Sequence, residues 1–166
     1  MEKLFTIEGE DDFQIGLDLL NSSIQWNHRK ALQAFCRAAE KGHTEAIFQV
    51  GLMYLIGGPQ IDRNVEKAVE CLKISAERDL AIAKYGLAQC YLYGVGVDKD
   101  EKKAIILFEE SFKQGCFNAA DSLSDIYRYG IGIPSDLQKA KEYNLYARQA
   151  QIPNADFKFI GLLTGI

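Results

Sequence analysis

The chain has 166 residues, 48% of them hydrophobic and 25% charged, with 19 Lys and Arg against 23 Asp and Glu for a net charge of −4. That is long enough for one well-buried domain and too apolar for a disordered chain, and it lacks the basic excess of a nucleic-acid surface. No apolar run reaches the roughly 18 residues of a membrane span, and abundant Ala, Leu, Glu and Lys with three prolines tilt the class towards helix.

The chain begins MEKLFTIEGEDD, with acids where a signal peptide needs a basic region and an apolar core. Export by that route is not expected, and the reading is cytoplasmic. Next comes GLDLLNSSIQWNHRKA: a helical stretch, a loop holding Asn21 and the Ser22-Ser23 pair, then a second helix start. Trp26, the only tryptophan, is read as packing the N-terminal end. His28 begins that second helix, and His43 follows Gly42 in a helix-helix turn; both are expected in solvent.

From here the sequence repeats. Lys-Ala occurs at Lys30-Ala31, Lys67-Ala68, Lys103-Ala104 and Lys139-Ala140, separations of 37, 36 and 36 residues. Four residues before each alanine stands Asn27, Asn64, Asp100 or Asp136, each suited to cap a helix N-terminus. Upstream lie YLIGG, YLYGVG and YRYGIG, each with a glycine three residues after tyrosine, where a helix can end in the left-handed conformation. Ala46, Ala83 and Ala119 precede those tyrosines by eight residues, and Ala155 continues the series. The Lys-Ala alanines recur where two helices approach closely. After Ala104 the residues Leu107, Phe108, Ser111 and Phe112 form the stripe of an amphipathic helix, and the equivalent stripe after Ala68 places Cys71 in the core.

The segment GVGVDKDEKKA at 94–104 is therefore a helix end, a loop and a helix start. It follows a helical pattern rather than a strand and lacks G-x-x-x-x-G-K-[ST], which argues against a phosphate loop. Its acids lack the spacing of a calcium loop.

The pattern A-x7-Y-x2-G-x-G-[VI]-x2-D-x2-KA, at Ala83 to Ala104 and nearly intact at Ala119 to Ala140, closely resembles the Sel-one-like repeat. The resemblance covers roughly residues 12–166. The first copy is degenerate, the second carries the longer loop GGPQIDRN, and the last stops partway, leaving a single terminal helix. It implies an all-α, right-handed α-solenoid of about four antiparallel helix pairs plus a C-terminal capping helix. As one domain over 1–166 its repeats fall near 9–42, 43–79, 80–115 and 116–151, with the cap at 152–166. Members of the family act as adaptors or scaffolds for protein assemblies. The secreted cysteine-rich branch pairs its cysteines within repeats; Cys36, Cys71, Cys90 and Cys116 are not so arranged, which fits reduced, mostly buried thiols.

In such a stack the first helix of each pair lines a concave surface. Counting from Ala46, Ala83 and Ala119, offsets 0, 4, 7 and 8 read as buried, and offsets 3, 6, 9 and 10 point into the groove. The expected partner-binding residues are Gln49, Leu52, Leu55, Ile56, Gln89, Leu92, Tyr93, Asp125, Arg128 and Tyr129, with Gly86 and Ser122 at the same offsets. Leu52, Leu55 and Ile56 form an apolar patch that either awaits a partner or is covered by neighbouring repeats.

No catalytic, metal or cofactor site is expected. The histidines align with no serine or cysteine, and the acid pairs Asp11-Asp12, Glu109-Glu110 and Asp98 with Asp100 fall on helix starts or solvent faces. FKFIGLLTGI at the C-terminus has only Lys158 and Thr164 polar; it reads as a buried cap, with an oligomerisation surface as the alternative. The function expected is a non-enzymatic protein-protein interaction module binding a folded domain or peptide, without nucleic acid or membrane. The alternative is a small immunity protein that neutralises a toxin or enzyme, its mild acidity suiting a basic target.

Overall fold

The helical periods resolve into eight helices among the residues the computed structural model describes, 7–21, 27–58 and 60–149. They are α1 (Glu10–Asn21), α2 (His28–Glu40), α3 (Thr44–Ile56), α4 (Val65–Glu77), α5 (Ala81–Tyr93), α6 (Glu101–Lys113), α7 (Asn118–Tyr129) and α8 (Leu137–Gln149). The fold is the expected all-α helical repeat. The chain divides into two compact units, 1–78 and 79–166. Within the first, α1 packs on α2, α2 on α3 and α3 on α4; within the second, α5 packs on α6, α6 on α7 and α7 on α8. Trp26, the Ser22-Ser23 pair and the expected cap at 152–166 lie outside the described residues.

Three of the four expected caps form. Asn64 Oδ1 accepts from the Lys67 amide at 2.8 Å and Asp100 Oδ1 from the Lys103 amide at 2.9 Å. Asp136 Oδ1 accepts from both the Gln138 and Lys139 amides at 3.0 Å. Such caps stabilise a helix by about 1 kcal/mol. Asn27 departs from the expectation: its backbone is already helical (φ −87°, ψ −12°), so its side chain does not reach back to the first turn, whereas Asn64 and Asp100 are extended.

The tyrosine-glycine and Lys-Ala landmarks are parts of one closed loop. Gly94 and Gly130 end their helices in the left-handed conformation. Gly57 reaches positive φ as well, but with ψ −164°, because the longer GGPQIDRN loop is closed by a Gly58–Ile61 backbone pair. The cap residue then donates its backbone N–H to the tyrosine carbonyl: Asn64 to Tyr54 at 2.8 Å, Asp100 to Tyr91 at 2.9 Å and Asp136 to Tyr127 at 2.8 Å. Lys67, Lys103 and Lys139 of the last three Lys-Ala pairs lie over the same tyrosines, with Nζ 5.1, 4.3 and 4.8 Å from the ring centroids of Tyr54, Tyr91 and Tyr127. Each such contact is worth roughly 0.5–1 kcal/mol at a surface.

Ala31, Ala68 and Ala104 are 0% exposed and Ala140 2%, and the upstream series Ala46, Ala83 and Ala119 is equally sealed. Phe108 and Leu72 fill the expected core positions. Cys71 does not: it is half-buried at the edge of the core, where α3 comes so close that a Cβ on Gly51 would sit 2.9 Å from the Cys71 Cβ. Cys90 alone of the four free cysteines is fully buried.

The histidines differ from expectation. His28 is half-buried, and His43 is 2% exposed. It takes the N-cap position of α3, where its Nδ1 accepts from the Ala46 amide at 3.2 Å. Its Nε2 lies 3.1 Å from Glu10 Oε2 and its ring stacks on Phe13, tying α1 to α3. Asp12 is also more than a solvated helix-start acid. It receives Lys41 Nζ at 2.6 Å and Arg37 Nε at 2.8 Å, and those hydrogen bonds hold its carboxyl below the usual 3.8. A carboxyl depressed on folding adds stability above its ordinary pKa and loses it as pH falls through the folded value. Urea titrations of the wild type from pH 5 downward should therefore show an acid loss of stability beginning near the ordinary 3.8, and Asp12→Asn should flatten it.

Candidate functional site

An α-helix apolar all round has no free face, whereas an amphipathic one leaves its polar side to solvent. α3 is of the first kind and α7 of the second, while α5 is enclosed like α3 although it carries Lys84 and Gln89. In α3 the run AIFQVGLMYLI holds one polar residue, Gln49, apart from the Tyr54 hydroxyl. In α5 every residue from Ala83 to Cys90 is buried. α7, by contrast, exposes Asp121, Asp125, Arg128 and Tyr129.

This sorts the ten expected partner-binding residues. Leu52 (6% exposed), Leu55 (0%), Gln89 (2%) and Leu92 (7%) are buried, against the expectation that they open into a groove. Of the apolar patch at Leu52 to Ile56, only Ile56 is exposed. Gln49 is half-buried. Tyr93 and Tyr129 stand in solvent at 44% and 69%, and Asp125 and Arg128 are exposed with them. The missing polar face of α3 and α5 was the signal in the sequence that offsets 6 and 9 there are core.

The two polar side chains buried in α5 are held locally. Lys84, where the other copies have Ile47 and Ala120, places Nζ 2.6 Å from Asp79 Oδ1 and 3.2 Å from Glu110 Oε2. The Asp79 hydrogen bond raises the Lys84 pKa against the opposing effect of burial. Gln89 Nε2 donates to the Tyr85 hydroxyl at 2.8 Å, and burial is the main cause that pushes the Tyr85 pKa up to about 12. Sequence reasoning missed both Lys84 and Tyr85 as packing residues.

Asp125, Arg128 and Tyr129 share one side of α7 by their i, i+3, i+4 spacing. Tyr93 brings α5 to the same place: partial burial first, and then the nearby charge of Asp125, raise its phenol pKa. Neither Asp125 nor Arg128 makes an ion pair or side-chain hydrogen bond among the described residues. Two exposed tyrosines, a cation and an anion thus lie together with their hydrogen-bonding capacity unspent. Tyr and Arg are the side chains that most often anchor a protein interface.

Among the described residues, the groups that could carry chemistry are placed differently. A cleft of about 660 Å³ in the first unit is lined by Arg29 and Arg37, by Glu40 and Asp62, and by Cys36 and Tyr54. Burial, and then the charge of Glu40, raise the Cys36 thiol pKa, which keeps it a thiol rather than a nucleophilic thiolate. Among the described residues no group of three His, Cys, Asp or Glu is placed to hold a metal. None of the helices there is long and apolar enough to cross a membrane.

The Sel1 repeat model matches residues 14–43, 44–80, 81–116 and 113–143. No curated protein sequence matches the chain. A Sel1 repeat protein from Oxalobacter formigenes superposes with a TM-score of 0.78 at 30% identity, over 86% of this chain and 59% of that one. The protective antigen c5321 of uropathogenic Escherichia coli superposes equally well, TM-score 0.78, at 26% identity over 87% of this chain and 31% of that one. Helicobacter pylori cysteine rich protein B shares the fold, with TM-score 0.60 and 23% identity over 70% of this chain and 86% of its own. The chain thus spans about three-fifths of the first of these proteins and a third of the second.

Proposed function

The chain belongs to the Sel1 repeat family, and on that premise we propose that it is a non-enzymatic module that binds another protein through the exposed side of α7 together with Tyr93 at the end of α5. The observation that carries this reading is the exposed cluster of Tyr93, Asp125, Arg128 and Tyr129. Tyrosine supplies contact area at low entropic cost, and the opposite charges of Asp125 and Arg128 set orientation more than affinity. Free cysteines in all four positions favour a reducing, cytoplasmic setting.

A finer reading makes the partner a toxin or enzyme neutralised by direct binding. The net charge of −4 and the exposed acids Asp121 and Asp125 on α7 favour it. Affinity capture from native lysate, followed by reconstitution with purified partner, separates the two. One enzyme bound in a fixed 1:1 complex and inhibited supports the neutralising role. Several partners of one assembly, bound without inhibition, support the adaptor. Turnover of a substrate by the chain alone would overturn both.

A further inference from the structure

Equivalent positions of neighbouring repeats come side by side when helix pairs stack. Tyr93 and Tyr129 are such a pair, 36 residues apart. Each is the last residue of its helix, just before a left-handed glycine, and both are exposed. α5 and α7 both pack on α6, so the two tyrosines stand at the same end of the second unit. Asp125 belongs to the same place. It precedes Tyr129 by four residues, one turn back on the same side of α7. Partial burial, and then the charge of Asp125, raise the Tyr93 phenol pKa, so the carboxylate is close to that ring as well. At the equivalent position of α5 stands Gln89, which is sealed and donates to the Tyr85 hydroxyl.

The charge on this side is negative. α7 exposes Asp121 and Asp125 against Arg128 alone, and among the described residues neither carboxylate is held in an ion pair. An aromatic face attracts a cation, and two carboxylate oxygens match the paired N–H groups of a guanidinium. An ammonium would take the charge without the planar stacking or the paired geometry. An acidic side chain would meet Arg128 but also the two uncompensated carboxylates.

We propose that Tyr93, Asp125 and Tyr129 form the subsite for an arginine side chain of the partner protein, its guanidinium on Asp125 and its plane against a tyrosine ring. This rests on the binding reading above and specifies the anchor that the partner presents.

The probe is the blocked tripeptide acetyl-Gly-Arg-Gly-amide, titrated into the full chain and followed by NMR at the amides of Tyr93, Asp125 and Tyr129. Saturable shifts should appear there, and the citrulline analogue, which keeps the shape and loses the charge, should produce none. Asp125→Asn should weaken binding roughly tenfold, Tyr93→Leu should weaken it severalfold, and Arg128→Gln should tighten it by removing a like charge. Absence of saturable shifts, equal binding of the citrulline peptide, or an affinity unchanged by Asp125→Asn would overturn the proposal. Binding of the corresponding glutamate peptide instead, lost on Arg128→Gln, would overturn it too and assign the subsite to an acidic side chain. Titration of the captured partner separates this failure from that of the broader reading. A partner weakened by Tyr93→Ala/Tyr129→Ala but not by Asp125→Asn removes the arginine anchor and leaves the module standing; a partner indifferent to both variants overturns both.

Discussion

Ala104→Phe should unfold the second unit or lower its melting temperature by roughly 10 °C or more. Ala104 is 0% exposed one turn into α6, and the same position in the other repeats is an alanine just as sealed. A phenylalanine there must push two helices apart. Overpacking of that kind costs about 1–3 kcal/mol where the surroundings can adjust, and two closely packed helix backbones adjust less than side chains do. Against a total stability of roughly 5–15 kcal/mol, that is a large fraction. Ile106→Phe is the matched control: it lies two residues further on the same helix and is 56% exposed. Circular dichroism melts of the two variants should differ sharply. Equal, wild-type-like melts would mean that the repeat register is wrong.

The second large effect belongs to the first unit. Phe35→Ala should cost about 3–5 kcal/mol, because the ring is 0% exposed at the centre of the α1–α3 core. Its fit is tight: a Cβ added to Gly16 of α1 would lie 2.4 Å from the Phe35 ring. That contact decides the sign of Gly16→Ala. Helix propensity alone favours alanine by about 1 kcal/mol, but a buried ring has little room to retreat, so the variant should be destabilised. In a Phe35→Leu background the clash is relieved and the same substitution should approach neutral or become stabilising. Urea denaturation of the four proteins of this cycle checks both statements. A Gly16→Ala effect unchanged by Phe35→Leu would break the proposed contact.

How much of this was legible in the sequence follows from what periodicity can carry. The alanines, glycines and capping residues recur because backbone geometry demands them in every copy, so their spacing alone located the helices and the turns. The pairing of Lys67, Lys103 and Lys139 with the preceding tyrosines is present as a fixed interval, but the loop's closure is needed to see it. Side-chain burial was less legible. A helical wheel assigns Leu55 and Gln89 to the groove, yet burial is decided by how many neighbours surround a helix, and α3 and α5 lack the polar face that would have marked an open side. His43 was misread for a related reason. A polar residue after a glycine turn looks solvated until Glu10 and Phe13, some thirty residues earlier, are seen to enclose it. Asp125, Arg128 and Tyr129 are exposed because α7 keeps its polar side, whereas Tyr93 is exposed as the last residue of α5, just before Gly94.

The central claim, that the exposed side of α7 and Tyr93 at the end of α5 bind another protein, is tested most directly by calorimetric titration of the captured partner into matched variants. Tyr93→Ala/Tyr129→Ala should weaken binding by about 2 kcal/mol or more, roughly thirtyfold, at unchanged helicity. Ile106→Ala, on the exposed face of α6, should bind as the wild type does. Equal affinity of all three proteins, or a loss confined to Ile106→Ala, would contradict the account and move the binding surface off α5 and α7.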